Sequence, residues 1–206
     1  MLWQQKKTIA IFSLVLFLSV AACFFSAHAG ARFIIDPGQS TLTCSVRYVL
    51  IGCYEVKFTD FSGEIELSGN DVADSAMTVT VKTASLESEH LRLDKIARSP
   101  RLLDTRKFPE SVFTSYSVVK DHHGYSVTGE VNLHGVSRTI SFPLQTTGLN
   151  RDAEGKFCLK VHGQWKVNRK DFNVVWHPLL DKGGIIVSNI VAMDWIIVAC
   201  RVEDDT

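Results

Sequence analysis

The sequence predicts an all-β fold, an eight-stranded antiparallel barrel with one helical excursion between its third and fourth strands. Two observations predict the barrel. Apolar and polar residues alternate with a period of two in eight stretches, which is typical of strands with one buried face. Turn-forming residues separate these stretches, as at residues 60–63 and 121–124. Because each strand is apolar on one side only, closing the sheet into a barrel is the simplest way to remove unpaired edges.

The candidate strands follow one another along the chain without a repeat or a linker. They are residues 41–48, 54–67, 77–82, 112–119, 125–134, 140–145, 157–168 and 190–202. Residues 88–99 break the alternation, because charged and apolar residues recur there at helical offsets. Ser99 and Pro100 then have the form of a helix N-cap followed by proline. A helical segment is therefore predicted between the third and fourth strands.

Residues 1–29 have the layout of a secretory signal peptide. Two lysines precede an apolar run at residues 9–25, and Ala27 and Ala29 supply the small residues of a cleavage site. Cleavage after Ala29 predicts a periplasmic or secreted protein. One alternative is a retained anchor, although the apolar run is at the short limit for a membrane span. The other is a lipoprotein attached through Cys23, which ends a segment that resembles a lipoprotein processing box.

Composition argues against two classes of protein. Lys plus Arg and Asp plus Glu both number 22, so the formal charge is zero. This balance excludes a basic nucleic-acid binder and an acidic disordered chain. Apolar residues make up 46% and charged residues 21% of the chain, as in an ordinary globular domain. Residues 30–206 are expected to form a single domain.

The sequence carries no recognisable catalytic or metal-binding motif. It contains no G-x-S-x-G nucleophile turn, no phosphate-binding loop and no dinucleotide fingerprint. It also contains no Cys-x-x-Cys and no helical pair of histidines with a carboxylate. We therefore expect no catalytic residues, no metal and no cofactor other than a bound lipid.

One disulfide follows from the expected strand register. If the last two strands are antiparallel neighbours with their apolar residues on one face, Cys158 lies directly opposite Cys200. An oxidising compartment would favour the bond between them. Cys44 and Cys53 lie on either side of the first turn and are left to form a second, less secure bridge. The alternative is that two or all four of these cysteines stay reduced, with Cys44 filling an inward position as a small apolar residue.

Short motifs in a fixed order resemble the YceI-like proteins. In chain order they are Asp36-Pro37-Gly38-Gln39-Ser40, Phe58-Thr59-Asp60-Phe61-Ser62-Gly63, Asp104-Thr105-Arg106-Lys107-Phe108-Pro109, residues 127–136, Asn168-Arg169-Lys170-Asp171-Phe172 and Gly183-Gly184. The resemblance covers Phe33 to about Val202. It implies an exported lipocalin-like barrel that holds a polyisoprenoid chain in its lumen, and a role in lipid binding or transfer. The chain departs from the family pattern at Gln39 and Cys44, where the family usually has His and Phe.

The inward phase of the predicted strands supplies the candidate lumen lining. These residues are Leu42, Val46, Tyr48, Phe58, Val79, Phe113, Tyr125, Val127, Leu133, Phe142, Trp165 and Trp195. The expected guest is a quinone or a polyprenyl carrier lipid. One alternative is a structural or interaction barrel whose core is filled by its own side chains, because alternation specifies a core and not a cavity. A less favoured alternative is an exported hydrolase.

Basic residues mark a candidate rim at one end of the barrel. Arg92, Lys95 and Arg98 recur at helical offsets in the predicted helix. They are candidates to meet a lipid head group or an anionic membrane surface, and the ordinary alternative is a solvated helix face. The last strand is also apolar on its outward phase, at Ile196 and Val198, which is compatible with a homodimer.

Overall fold

The computed structural model describes residues 30–48, 52–69, 71–175 and 187–202. The strands are β1 (Ala31–Ile35), β2 (Thr41–Tyr48), β3 (Gly52–Phe58), β4 (Phe61–Leu67), β5 (Ser75–Lys82), β6 (Leu86–Glu87), β7 (Glu110–Asp121), β8 (Gly124–Leu133), β9 (Val136–Arg151), β10 (Phe157–Asn168) and β11 (Val187–Arg201). The α-helix in this part of the chain is α1 (Leu91–Arg98). The predicted signal peptide and Cys23 lie outside the described residues.

Eight strands close into an antiparallel ring. Its order is β1, β4, β5, β7, β8, β9, β10 and β11, and β11 pairs with β1 to complete it. The three remaining strands extend the ring at one end, where β2 pairs with β11 and β3, and β3 pairs with β6. Three consecutive pairs, β1 with β2, β3 with β4 and β5 with β6, each act as one long interrupted strand. Counted in this way, the eleven described strands form an eight-stranded meander. The predicted fold is confirmed, with α1 between the third and fourth strands of that meander.

A short break separates β1 from β2, and β11 stays hydrogen-bonded across it. The Asp36 N–H donates to the Val198 carbonyl (2.8 Å), and the Val198 N–H donates to Ser40 Oγ (2.9 Å). The Asp36 carboxylate accepts from the Gly38 N–H (2.9 Å) and from the Gln39 amide (2.8 Å), which fixes the turn. The sequence prediction began the first strand at residue 41 and so did not include β1.

The pairing of β10 with β11 has the predicted register. Cys158 lies opposite Cys200, and the pairing runs to the other end of β10 without a bulge. The structure joins the two cysteines in a disulfide, with Cα atoms 4.0 Å apart. Asp152 lies beside them, and the three residues form a group with the spacing of metal ligands. Both sulfurs are used by the disulfide, so no metal site is assigned to this group.

The second, less secure bridge does not form, because its two cysteines lie on opposite faces of the β2–β3 hairpin. Cys44 pairs across the hairpin with Val56, whereas Cys53 pairs with Arg47. Cys44 is half-buried and Cys53 is exposed, and neither is bonded. Arg47, the partner of Cys53, is three residues from Cys44 along β2. Residues an odd number of positions apart on a strand lie on opposite faces of the sheet, so the two sulfurs point away from each other.

One end of the barrel is filled by its own side chains, and we call it the closed end. Val127 and Leu159 are almost fully buried in the main core there. Asp71 caps the short 3-10 turn that follows β4 and accepts a hydrogen bond from the Tyr125 hydroxyl (2.7 Å). This bond is the main reason that the pKa of Asp71 falls to about 2.

Two glycines leave room for aromatic rings close to the inner wall. A Cβ on Gly163 would lie 2.4 Å from Cζ2 of Trp195, which faces it on β11. A Cβ on Gly129 would lie 2.6 Å from Cζ of Phe113 on β7. Each glycine therefore provides the space that a large inward ring occupies. No helix among the described residues is both long enough and apolar enough to cross a membrane.

Candidate binding cavity inside the barrel

The barrel interior beyond the closed end holds two adjacent chambers. The larger has a volume of about 190 Å³ and lies beneath α1. The smaller, of about 120 Å³, lies deeper in the barrel. Trp165, Met193 and Leu42 belong to the walls of both chambers, so the two chambers adjoin inside the barrel. The barrel is therefore a core at one end and a cavity at the other.

The chain between β6 and β7 closes the larger chamber, and we call residues 88–108 the lid segment. Leu93 and Ala97 of α1 line this chamber, together with Leu102 and Leu103 from the turn that follows. Leu93 and Ala97 are four residues apart and so share one face of the helix. That face closes the cavity with apolar side chains.

A buried carboxylate fixes the lid segment to the barrel. Asp94 is only 1% exposed and accepts hydrogen bonds from the Tyr54 hydroxyl (2.6 Å), from Ser88 Oγ (2.5 Å) and from the Ser88 N–H (3.0 Å). Burial raises the pKa of Asp94, but the bonds from Ser88 and Tyr54 outweigh burial and hold the pKa below its ordinary value. Asp94 is therefore a charged anchor with its hydrogen-bonding capacity satisfied.

The cavity walls present almost only apolar surface, because their polar groups bond to the protein itself. The Ser111 hydroxyl donates to the Asn132 carbonyl (2.9 Å), and the Thr83 hydroxyl donates to the Phe108 carbonyl (2.6 Å). These internal bonds leave little polarity for a guest to satisfy.

Arg169 stands at the cavity wall, and its guanidinium is held by the protein. It donates to the Val174 carbonyl (2.8 Å), to the Ser188 carbonyl (3.2 Å) and to Asn189 Oδ1 (2.9 Å). A guest inside the barrel therefore meets a cation that is hydrogen-bonded to the protein through each of its three nitrogens. The chemistry of the cavity suits burial of a hydrocarbon chain.

Cys44 places a thiol in the wall of the larger chamber. Burial raises the pKa of Cys44 to about 12. A thiol with such a pKa stays protonated near neutral pH and behaves as a small apolar group. It is part of the lining and not a nucleophile.

Nine of the residues predicted to line the lumen border the two chambers. They are Leu42, Val46, Phe58, Val79, Phe113, Leu133, Phe142, Trp165 and Trp195. Tyr125 and Val127 belong to the interior but border neither chamber, because they pack into the core of the closed end. The side chain of Tyr48 is outside the described part of the structure. Sequence reasoning missed the lid residues, although the i, i+4 spacing of Leu93 and Ala97 among charged neighbours was a signal for them.

The three predicted rim cations have different environments. Arg92 and Lys95 are exposed on α1. Arg98 is half-buried, and its guanidinium donates to the carbonyls of Ala84 (2.9 Å) and Leu86. Arg98 therefore ties α1 to the strand edge, which leaves Arg92 and Lys95 as the rim cations of the helix.

Comparisons of sequence identify the family. The YceI-like domain model matches residues 33–199. A UPF0312 protein of Photorhabdus laumondii is 34% identical over 150 residues, which cover 72% of this chain and 78% of that protein. Protein YceI of Escherichia coli is 32% identical over 117 residues, which cover 57% of this chain and 61% of that protein.

Solved structures share the fold. BcnA of Burkholderia cenocepacia superposes with a TM-score of 0.68 at 20% identity, covering 80% of this chain and 98% of that one. A polyisoprenoid binding domain from Saccharophagus degradans superposes with a TM-score of 0.66 at 15% identity, covering 84% of this chain and 99% of that one. Since the family model spans nearly all of the barrel, this chain belongs to the YceI-like family.

Proposed function

We propose that the protein binds a long apolar lipid of the isoprenoid type, polyprenyl or quinone-like, in the barrel cavity. The observation that carries this proposal is an apolar cavity whose wall polar groups, such as Ser111 and Thr83, bond to the protein itself. The fold likeness to a polyisoprenoid binding domain supports it. Each methylene that leaves water would contribute about 0.8 kcal/mol. Sequestering or carrying the lipid requires no reaction, and we propose no catalytic residue.

We also propose that the protein works outside the cytoplasm. Residues 1–29 have the layout of a signal peptide, and a lipoprotein anchored through Cys23 is the alternative. An oxidising compartment would keep the Cys158–Cys200 disulfide intact. Recovery of the chain from a periplasmic or culture-medium fraction with Gly30 at its N-terminus would support cleavage after Ala29. An N-terminus at Cys23 carrying acyl chains would establish the lipoprotein alternative.

The direct test of lipid binding is extraction of lipids from the purified protein, followed by mass spectrometry. We expect a polyprenyl or quinone-type lipid in near-stoichiometric amount. Repeated recovery of empty protein that also takes up no such lipid when offered would contradict the proposal. It would favour the filled-core interaction barrel instead.

Two cysteine variants sharpen this test. Cys44→Trp places an indole in the larger chamber and should abolish lipid uptake, whereas Cys53→Trp makes the same change on the exposed face of the neighbouring strand. The control should bind lipid like the parent protein. Leu133→Trp blocks the same chamber from another strand and serves if Cys44→Trp fails to fold. Equal uptake by folded blocked variants and control would place the lipid elsewhere.

A further inference from the structure

The outward face of α1 combines cations with an exposed apolar side chain. Leu91 is 81% exposed, the most exposed large apolar side chain in the described part of the protein. Arg92 and Lys95 lie next to it on the same side of the helix and are exposed. The opposite side carries Leu93 and Ala97, which line the cavity. One short helix thus has a cavity face and an outward face.

The lid segment is basic in a protein that is otherwise acidic. Residues 88–108 contain six Lys or Arg and three Asp or Glu, and one of the three acids, Asp94, is buried. In the rest of residues 30–206, Asp and Glu outnumber Lys and Arg by 19 to 14. Positive charge is therefore concentrated at the end of the barrel where the cavity lies.

Most of these cations are available to a partner. Arg92, Lys95, Arg101 and Arg106 are exposed, and their side chains make no hydrogen bond or ion pair with any described residue. The Lys107 Nζ atom lies over the Phe108 ring, 5.1 Å from its centre. Away from the lid, Arg32 and Lys82 are exposed cations that do pair, with Glu64 and Glu110 respectively. Unpaired cations around an exposed leucine match the chemistry of an anionic lipid surface.

We propose that the lid segment docks the protein on an anionic bilayer, with Leu91 entering the interface and the basic side chains meeting lipid phosphates. This inference deepens the proposed lipid-binding function, because it names the surface from which the cavity would be loaded or emptied. Only the thickness of one helix, about 10 Å, separates the outward face of α1 from the cavity. A lipid that leaves the bilayer at this point would reach the cavity past the lid segment.

The docking is expected to depend on charge in a measurable way. Each basic residue near an anionic surface strengthens binding roughly fivefold at low salt, and salt screens this attraction. The protein should therefore sediment with vesicles of phosphatidylglycerol and phosphatidylcholine, and much less with vesicles of phosphatidylcholine alone. Raising the salt concentration should release it.

A matched pair of charge reversals localises the effect. Arg92→Glu with Lys95→Glu should weaken binding to the anionic vesicles by roughly 25-fold or more, given the contribution of each basic residue. Lys160→Glu with Lys166→Glu makes the same change in net charge on exposed positions of β10 and should have a much smaller effect. Leu91→Ser should weaken binding without changing its salt dependence. All variants are prepared with the same N-terminus, so the differences between them report on the lid segment.

The outcomes separate this inference from the function on which it rests. Equal loss of vesicle binding in the lid and β10 variants, or equal binding to both kinds of vesicle, would overturn docking through the lid. The lipid content of each variant is measured in parallel by mass spectrometry. A loaded cavity without vesicle binding would overturn the docking inference and leave lipid binding intact. A protein that sediments with anionic vesicles through the lid, but never contains or takes up lipid, would support docking and contradict the proposed function.

Discussion

Cys44 and Cys53 are chemically identical groups on one hairpin with opposite surroundings. Cys44 lines the cavity, where burial raises its pKa to about 12, and Cys53 is exposed. Because the thiolate is the reactive form, N-ethylmaleimide at pH 8 should modify Cys53 quickly and Cys44 far more slowly. Peptide mapping of the alkylated protein measures both rates. Comparable rates would mean that the cavity is open to water at Cys44.

Asp94 is expected to stabilise the protein through its charge. Asp94→Asn replaces one accepting oxygen with a donor, which leaves a bond from Ser88 or Tyr54 unmade. The free energy of unfolding at neutral pH should fall by about 1–3 kcal/mol. Urea denaturation measures the change, and Glu89→Gln, an exposed change in the same segment, should have little effect.

The same residue predicts how stability depends on pH. The folded pKa of Asp94 lies below its ordinary value of 3.8, so the folded state holds its proton less tightly than the unfolded state. The stabilisation is therefore complete above the ordinary pKa and is lost as pH falls through the lower folded pKa. Between neutral pH and pH 3 the parent protein should lose more stability than Asp94→Asn. A parallel pH dependence in the two proteins would show that Asp94 is not a charged anchor.

At the scale of elements, the disulfide joins β10 and β11 on their outward face. Cys158→Ser removes the bond across a sequence separation of 42 residues, which should lower the free energy of unfolding by roughly 2–4 kcal/mol. The cavity lies on the other face of these strands, so lipid uptake should persist. Chemical denaturation with and without reductant measures the loss, and Cys53→Ser provides the control. No difference between reduced and oxidised parent protein would contradict a stabilising bridge.

The register of β10 and β11 was predictable because alternation continues through both strands without an inserted residue. The neighbouring pair β9 and β10 contains an irregularity between Leu159 and Val161, which periodicity does not reveal. β1 was missed because it is only five residues long and ends at the turn fixed by Asp36. Period-two patterns identify long strands, whereas short strands depend on pairing with distant neighbours.

The candidate site was predictable only where strands build it. Trp165 and Trp195 followed from their inward phase and do line the cavity. Leu102 and Leu103 lie in an irregular turn, and their position depends on the tertiary bonds of Asp94 and Arg98. Alternation also could not separate the wall of a cavity from a filled core, so Val127 was assigned to the lumen although it packs at the closed end.

The whole molecule divides into an end stabilised by its own packing and an end with space for a guest. At the closed end, Leu159 belongs to the same buried cluster as Val127, which is completely buried. At the cavity end, the lid residues Leu93 and Ala97 face the larger chamber. Empty apolar space forfeits the contacts that a filled core would make. The two ends should therefore respond differently to removal of the lipid.

Removal of the bound lipid is expected to lower the midpoint of thermal unfolding, because a ligand that binds only the folded state stabilises it by mass action. Hydrogen exchange locates the change. Amides of α1 and of the β2–β3 hairpin should exchange faster in the lipid-free protein, since these elements carry the lid and one wall of the larger chamber. The exchange rates of amides around Val127 in β8 should be unchanged, because the core of the closed end is complete without a guest.

Cys44→Trp, whose indole occupies the chamber, should show little difference between the lipid-bound and lipid-free preparations. Equally faster amide exchange at both ends of the lipid-free protein would mean that the cavity and the core form one cooperative unit. Unchanged exchange at the lid would contradict a lipid held beneath it.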